Sequence, residues 1–428
     1  MKKYFWKLRT IVVIITIGSL LIGMGGCSSM TGKSAKAANL MEGVTAQNVT
    51  VEKSANEYSK ELNEFGVKLF NACYAASSNS NTLISPLSVL LALSMTANGA
   101  KAETLAQMEE VLGLSADELN KFASAYMKAL SGRPESKGSL ELANSIWFNS
   151  APRLHVEENF LQTNANYFNA ELYSAPFDES TLKEINNWVN DKTKGMIPSI
   201  LDYIPQEAVM YLVNALAFDA EWLETYTEEQ VGNYTFTTAE GTQKSVPFLH
   251  GTEGHYIEDE NAKGFIKYYK GAKYAFAAIL PNEGMTPEEY MKTVSGEHLS
   301  EMISNVEFCE VLTKLPKFKT EYSVEMSGVL KNMGMPVAFN PDLADFTGLG
   351  TSDEGNIFIS RVLHKTFIEV DEKGTKAGAA TVVEMADNGA GIIDEPKEVY
   401  LTRPFVYMLV DCEANIPFFI GVMNDPEK

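Results

Sequence analysis

The sequence predicts an α+β fold, with helices concentrated in the first half of the chain and strands in the second. Apolar residues recur at helical spacing between residues 59 and 194, whereas alternating or continuous apolar runs dominate from residue 274 onward. Separate runs of helices and strands favour α+β over alternating β–α units. No internal repeat is visible, and 45% hydrophobic with 21% charged residues is an ordinary globular composition.

The net charge narrows the function classes. The 428 residues carry a formal charge of −21, which argues against a nucleic-acid partner because Lys and Arg must neutralise phosphates there. It also argues against electrostatic docking of the folded body on anionic lipid. Self-repulsion of so acidic a body favours a soluble monomer.

Residues 1–26 are typical of a signal peptide. The apolar run over 11–24 is of signal-peptide length and too short for a comfortable transmembrane helix. It ends in Met24-Gly25-Gly26-Cys27, which resembles a bacterial lipoprotein signal and implies lipidation of Cys27 at the cell envelope, outside the cytoplasm. An ordinary secretory signal or an uncleaved anchor are the alternatives. No acidic residue precedes Cys27, and four basic ones do: Lys2, Lys3, Lys7 and Arg9.

Residues 27–55 are predicted to be a flexible tether that follows the lipidated cysteine. Small and polar residues predominate up to about Thr50, and such a chain reaches roughly 25 Å in root-mean-square terms. The folded domain is expected over 56–428. Without the signal peptide, and with it four basic residues, the formal charge becomes −25.

The helices are predicted from spacing and capping residues. Leu62, Phe65 and Leu69 recur at helical spacing from Ser59 onward. Ser85-Pro86 opens the next helix, because Ser is a good N-cap and Pro suits the first turn. Further helices are expected over 103–112, 116–130 and 185–194.

The strands are predicted from apolar runs bounded by turn residues. They are expected over 141–148, 209–218, 274–280, 306–319, 361–371, 405–411 and 417–423.

Motifs for catalysis are scarce. The chain has no HExxH, no G-x-S-x-G and no phosphate loop, so an enzyme, a cofactor and a metal are not expected. His250 and His255 flank Glu253, but exposed loop residues explain them better than a metal pair. With Cys27 lipidated, three thiols remain, and buried free thiols are favoured over a disulfide.

The stretch 361–404 is the most informative. A strong strand pattern ends near Asp371, and Glu372-Lys373-Gly374-Thr375 interrupts it. Small residues then alternate, so that the loop could become a strand, with Gly374 supplying free dihedrals at a hinge. A flexible Ala/Gly surface loop is the equal alternative from composition alone.

Motifs spread over about Tyr58 to Lys428 resemble the serpin family, in its bacterial inhibitory form. The hinge 372–380 has the small residues of inhibitory members, and Ile185 to Val189 resembles the helix over their main sheet. Further matches are Ile84-Ser85-Pro86-Leu87-Ser88, residues 142–148, Val213-Asn214-Ala215-Leu216, Leu315-Pro316-Lys317-Phe318, Asp345-Phe346-Thr347-Gly348, Arg403-Pro404-Phe405 and residues 419–424.

The resemblance implies three β-sheets, about nine helices and an exposed reactive-centre loop. It further implies a protease inhibitor that is a suicide substrate: the target protease cleaves the loop, and the acyl-enzyme is trapped when the hinge inserts into the main sheet. The partner would be that protease, held covalently. The hinge residues would be Glu372, Gly374, Thr375, Ala377, Ala379 and Ala380.

The resemblance also assigns a polar cluster beneath the sheet, where strands part. Ser85, Ser88, Asn214 and His364 would form it, with His364 bridging strands. Trp222 would cover the point where insertion begins. A satisfied core histidine and a plain core tryptophan are the alternatives for His364 and Trp222.

The resemblance also implies a scissile bond at the usual distances from the two ends of the family's loop, and the two counts disagree. Counting from the hinge places it at Asn388–Gly389, whereas counting back from Pro404 places it at Ile393–Asp394; insertion length favours the first. Met385 and Ala390 remain candidates. No Lys or Arg lies between Ala377 and Pro396, so elastase-, subtilisin-, chymotrypsin- or papain-like targets are expected over trypsin-like ones. A non-inhibitory binding protein is the alternative function.

Overall fold

The computed structural model describes residues 36–76, 80–133, 139–150, 154–205, 208–353, 355–375 and 395–428. Nine α-helices lie in these ranges: α1 Ser59–Ala75, α2 Pro86–Ala97, α3 Ala102–Leu112, α4 Ala116–Ser131, α5 Glu158–Phe168, α6 Glu179–Lys192, α7 Pro287–Thr293, α8 Gly296–Ser304 and α9 Ser327–Met333. The strands are β1 Ala38–Asn39, β2 Thr82–Ile84, β3 Ser139–Asn149, β4 Leu154–Val156, β5 Glu171–Ala175, β6 Met210–Glu221, β7 Val231–Thr237, β8 Gln243–Glu258, β9 Ala262–Tyr268, β10 Tyr274–Pro281, β11 Glu307–Pro316, β12 Phe318–Glu325, β13 Gly350–Ser352, β14 Arg361–Val370, β15 Gly374–Thr375, β16 Lys397–Tyr400, β17 Phe405–Asp411 and β18 Ile416–Met423.

Capping residues explain where the helices begin. The Ser85 hydroxyl accepts a hydrogen bond from the backbone N–H of Ser88 at 3.3 Å, and Pro86 occupies the first turn of α2, as predicted. Helix α6 begins at Glu179, six residues before the predicted start. The Asp178 carboxylate accepts from two backbone N–H groups there and caps the helix ahead of its apolar face.

A seven-stranded sheet has the order β1-β5-β3-β6-β15-β14-β12. Strand β6 lies in its interior. Tyr211, Val213 and Ala215 of β6 pack in one apolar cluster with α6, while Leu212 and Leu216 face the larger core that contains α2. We call the end of the sheet at Ala220 the upper end and the end at Met210 the lower end.

Strands β6 and β14 pair over only part of their length. Their parallel ladder joins Arg361–His364 to Tyr211–Asn214, the lower part of the sheet, and ends there. At the upper end β15 lies between them, antiparallel to both. We call the interval between β6 and β14 above His364, closed at the top by β15, the gap.

The remaining strands form two sheets. A nine-stranded sheet runs β16-β11-β8-β9-β10-β17-β18-β2, with β7 on β8, and β4 pairs β13. The three sheets and nine helices of the described chain confirm the predicted fold class. The single run predicted over 306–319 is two strands of different sheets, β11 and β12, with Lys317 between them.

Residues 36–55 differ from the predicted flexible tether. Strand β1 pairs with β5, and the N–H of Leu40 donates to the carbonyl of Leu172 at 2.8 Å. Farther along, the N–H of Gln47 donates to Asn166 Oδ1 at 2.7 Å. An edge strand presents unpaired N–H and C=O groups, which even a small polar segment can satisfy. Residues 1–35, with the predicted signal peptide and Cys27, lie outside the described residues.

Candidate functional site

A tight turn carries the chain from β14 into the gap. The Asp371 carboxylate accepts hydrogen bonds from the N–H groups of Lys373 at 2.8 Å and Gly374 at 3.1 Å. The N–H of Asp371 in turn donates to the carbonyl of Gly374 at 3.0 Å. The side chain of Asp371 therefore fixes the direction in which the next residues leave β14.

Gly374 and Thr375 occupy the top of the gap. Gly374 lies opposite Glu221, and Thr375 pairs with both Ala220 and Val370. A Cβ atom on Gly374 would lie 2.1 Å from the carbonyl oxygen of Ala220, so only glycine fits at this position without moving β6. Gly374 and Thr375 thus form a two-residue strand between β6 and β14 at the upper end of the sheet.

Trp222 holds this turn through two hydrogen bonds. Its indole Nε1–H donates to the carbonyl of Asp371 and its backbone N–H to the carbonyl of Lys373, both at 2.9 Å. The N–H of Tyr226 donates to the carbonyl of Glu372 at 2.9 Å. The Trp222 ring is fully buried and stacks on Tyr269 with 4.5 Å between centroids.

Two side-chain contacts complete the hinge. The Tyr269 hydroxyl and Thr375 Oγ1 are 2.5 Å apart, and Thr375 is only 2% exposed. Lys317, the residue between β11 and β12, donates to the Glu372 carboxylate. That hydrogen bond lowers the pKa of Glu372, while burial raises the pKa of Tyr269 well above its usual value.

A buried ion pair contacts the rings of Trp222 and Tyr226, two residues that hold the hinge. Lys267 Nζ is 2.7 Å from Glu253 Oε1, with the two side chains 5% and 11% exposed. The ammonium also lies 4.5 Å from the ring centroid of Tyr226 and 5.6 Å from that of Trp222. Burial raises the pKa of Glu253, and the neighbouring Lys267 opposes that shift. The rings that hold the hinge are therefore themselves packed on a desolvated charge.

The predicted polar residues meet below the gap, where the β6–β14 ladder ends. Asn214 lies opposite His364 in that ladder, and the Ser88 hydroxyl donates to the Asn214 side chain. The Asn214 amide donates to Asn144 of β3. The N–H of Ser85 donates to His364 Nε2 at 3.0 Å. All are buried, and we call them the central cluster: Ser85, Ser88, Asn144, Asn214 and His364.

His364 is neutral in this setting. Complete burial lowers its pKa to about 3, and its Nε2 serves as an acceptor, so Nδ1 carries the proton. Among the described residues, Nδ1 has no hydrogen-bond partner. The ring therefore has a donor left over at the point where β6 and β14 separate.

The structure describes some of the predicted site residues and omits others. It brings Glu372, Gly374 and Thr375 together with Trp222 at the top of the gap, and Ser85, Ser88, Asn214 and His364 in the central cluster. The predicted bond Asn388–Gly389 and the hinge residues Ala377, Ala379 and Ala380 lie outside the described residues. Cys27 does as well.

Several residues that hold or support the hinge carry no motif in the sequence. They lie far from it along the chain: Tyr226, Tyr269, Lys267 and Glu253. Lys317 belongs to the family motif Leu315-Pro316-Lys317-Phe318, which gives no sign of its contact with Glu372. One signal was available for the ion pair: Lys267 interrupts the apolar run of β9, at a position that is 4% exposed.

The structure places the two candidate metal-binding histidines and the cysteines of the folded body. His250 and His255 lie in strand β8 rather than in the expected loop, and Glu253 between them is paired with Lys267. Among the described residues no group of three or more His, Cys, Asp or Glu could hold a metal. Burial raises the pKa of Cys73 and of Cys412 to about 12.

No helix of the described chain is both long and apolar enough to cross a membrane.

Comparison with known proteins gives the family. The family model "Serpin (serine protease inhibitor)" matches residues 60–426. Serpin B10 of Bos taurus is 32% identical over 404 residues, covering 86% of this chain and 99% of the relative.

Two solved structures of one thermophilic serpin, tengpin, extend the comparison. The native state has a TM-score of 0.84 at 46% identity, covering 91% of this chain and all of tengpin's. The latent state has a TM-score of 0.75 at 42% identity, covering 89% of this chain and all of tengpin's. The chain therefore belongs to the serpin family.

Proposed function

We propose that the chain is an inhibitory serpin that traps a target protease as a covalent acyl-enzyme. Serpins are in general protease inhibitors that act as suicide substrates. In this chain the protease would cleave a bond in the loop that follows Thr375, and the hinge would then extend as a strand through the gap. Ala377, Ala379 and Ala380 would follow Thr375 into it. The nucleophile is the protease's own, so the chain's residues act by moving and need no catalytic group.

The observation that carries this proposal is the position of β15. Gly374 and Thr375 already pair with both β6 and β14, and the gap continues from them to His364. An incoming strand would find backbone partners on both sides once the lower ladder opens. Asn214 and His364 would then exchange partners in the central cluster.

The target class and the bond follow from the loop sequence. We assign the bond to Asn388–Gly389, because the length of the inserted strand is counted from the hinge. The lack of any Lys or Arg between Ala377 and Pro396 favours elastase-, subtilisin-, chymotrypsin- or papain-like proteases.

The signal sequence supports a location at the cell envelope. We infer that residues 1–26 are removed and that Cys27 is lipidated, so that the body is held outside the cytoplasm by its lipid alone. The remaining charge of −25 supports a monomer without nucleic-acid partners.

The test mixes residues 28–428 with pancreatic elastase, subtilisin, chymotrypsin, papain and trypsin. Denaturing gels detect a covalent complex, and mass spectrometry weighs the C-terminal peptide that cleavage releases. We expect a complex with at least one of the first four enzymes and a peptide that begins at Gly389. A complex with a different peptide keeps the mechanism and moves the bond. Cleavage by every protease without any complex would instead favour a non-inhibitory serpin.

A further inference from the structure

The N-terminal segment enters the folded body at the lower end of the seven-stranded sheet. Ala38 pairs with Ser174, Ser174 with Phe148, and Phe148 with Met210, the first residue of β6. Asn39 pairs with Tyr173, so the chain runs upward from this point. The N–H of Ala37, one residue earlier, donates to Glu184 of α6 at 2.8 Å. The first described residues are therefore fixed at the level of Met210.

The described residues on both sides of the loop lie toward the upper end of the seven-stranded sheet. Thr375, the last described residue before it, pairs with Ala220. The returning strand β16 pairs with β11, and β11 leads directly into Lys317, which contacts Glu372. Ten residues of β6 separate Met210 from Ala220, which is about 33 Å along the strand. The described residue before the loop and the entry of the N-terminal segment therefore lie at opposite ends of the seven-stranded sheet.

The chain between Cys27 and the body is short. Nine peptide units join Cys27 to Lys36, which limits their separation to about 32 Å. A lipid on Cys27 would thus keep the lower end of the sheet closer to the surface than the upper end.

The acidic residues of the loop favour the same orientation, with the loop away from the lipid surface. Between Ala377 and Pro396 the sequence has four acidic residues and no basic one, so an anionic lipid surface repels this segment. The acidic residues are Glu384, Asp387, Asp394 and Glu395.

We propose that the chain, anchored through Cys27, presents its reactive loop away from the lipid surface and so reacts with proteases in the aqueous phase. This inference rests on the proposed lipid anchor and inhibitory function. Its structural basis is that β1 enters the sheet at the level of the lower end of β6, with β5 and β3 between them, whereas β15 pairs with the upper end of β6. A protease bound close to the same lipid surface would meet the lower end of the sheet, whereas the loop begins at the upper end.

The test compares the same folded domain anchored to vesicles either through Cys27 or through its C-terminus. Residues 27–428 with Cys309→Ser and Cys412→Ser are coupled through Cys27 to a maleimide lipid in phosphatidylcholine–phosphatidylglycerol vesicles. The matched control carries Cys27→Ser and one added cysteine after Lys428. The C-terminus lies in the upper half, because Asn424 accepts from the N–H of Ala239, while Thr237 donates to Thr402 just beyond β16. The third sample is the unanchored chain.

The readout is the rate at which a soluble protease consumes intact chain, whether by complex formation or by simple cleavage of the loop. We expect the chain anchored at Cys27 to react within about twofold of the unanchored chain, and the C-terminally anchored chain at least about fivefold more slowly. Equal rates at both anchors, or slower reaction with the Cys27 anchor, would overturn the inference. Cleavage without any complex would defeat the proposed inhibition, yet the three cleavage rates would still decide the orientation.

Discussion

Thr375 is the residue whose environment most directly limits the movement of the hinge. It is 2% exposed and lies between Ala220 and Val370 with its hydroxyl on Tyr269. An arginine there would place an unpaired charge in the gap. We expect Thr375→Arg to be cleaved by the target protease while the yield of covalent complex falls at least about tenfold on denaturing gels. Lys373→Arg, an exposed position in the same turn, is the control, and an unchanged yield with Thr375→Arg would contradict the hinge assignment.

The Lys267–Glu253 pair tests how the hinge is supported. Removing one member leaves the other charge buried, which costs about 3–5 kcal/mol. We therefore expect Glu253→Met to lower the free energy of unfolding by about that amount, and Lys267→Met/Glu253→Met by much less. Urea unfolding of both single variants and the double variant measures the coupling. A double variant as unstable as the sum of the singles would show that the two groups act independently.

His364 predicts a pH dependence of stability. Its pKa is about 3 in the fold and about 6.5 when unfolded, so the unfolded chain binds the proton first. The contribution of His364 to the free energy of unfolding is therefore complete above pH 6.5 and decreases as pH falls toward 3. Between pH 7.5 and 5.5 the loss is about 1.4 kcal/mol.

The measurement is the urea midpoint of wild type and His364→Gln over that range. We expect the glutamine variant, which keeps an acceptor for the Ser85 N–H, to lose this slope. The pKa of His255 is also lowered by burial, so His255→Gln is the control. An equal slope in wild type and His364→Gln would rule out His364 as its source.

At the scale of elements, the placement of β15 depends on a close approach of backbones. A Cβ at residue 374 would meet Ala220 O at 2.1 Å and Glu221 Cα at 2.8 Å, so Gly374→Ala should displace β15 at a cost of about 1–3 kcal/mol. We expect faster hydrogen exchange at the N–H groups of Trp222 and Tyr226, which donate to this turn. Gly254→Ala, with no atom within 4 Å of the added Cβ, should leave their exchange unchanged.

The elements that depend on local signals were predictable. Ser85-Pro86 gave the start of α2, and the helical spacing of Leu62, Phe65 and Leu69 gave α1. Strand β14 followed from its apolar pattern at 361–371. In each case the pattern that predicts the element lies within a few neighbouring residues of the sequence.

Elements fixed by distant partners were not predictable. Strand β1 exists because β5 offers an open edge, and nothing in a small, polar sequence announces such a partner. The contact of Tyr269 with Thr375 joins residues 106 apart. Such contacts become evident only in the folded chain. The family resemblance implies four members of the central cluster, Ser85, Ser88, Asn214 and His364, whereas the fifth, Asn144, is identified only by its contact with Asn214 in the structure.

At the scale of the whole molecule, the described residues place only β15 between β6 and β14, and this arrangement supports the proposal of a fold held by a kinetic barrier. The seven-stranded sheet has a pairing between β6 and β14 that covers four residue pairs, while a longer strand could pair with both. Under the proposed mechanism an uncut loop would stay out of the gap, because its far end returns to β16, which pairs with β11. The intact fold would then be kinetically stable.

Cutting the loop should therefore raise thermal stability. After cleavage within residues 376–394, the freed segment can continue β15 downward and form ladders with β6 and β14. For a domain of this size each kcal/mol moves Tm by about 1–2 °C, so a gain of 5–10 kcal/mol would raise Tm by roughly 10 °C. Calorimetry of intact and cleaved chain, with the fragments kept together, measures the shift. Cleaved Thr375→Arg should show none, because its strand stops at the charge. A cleaved wild type that melts with the intact protein would mean that the segment stays outside the sheet, and the trapping mechanism would then have no source of free energy.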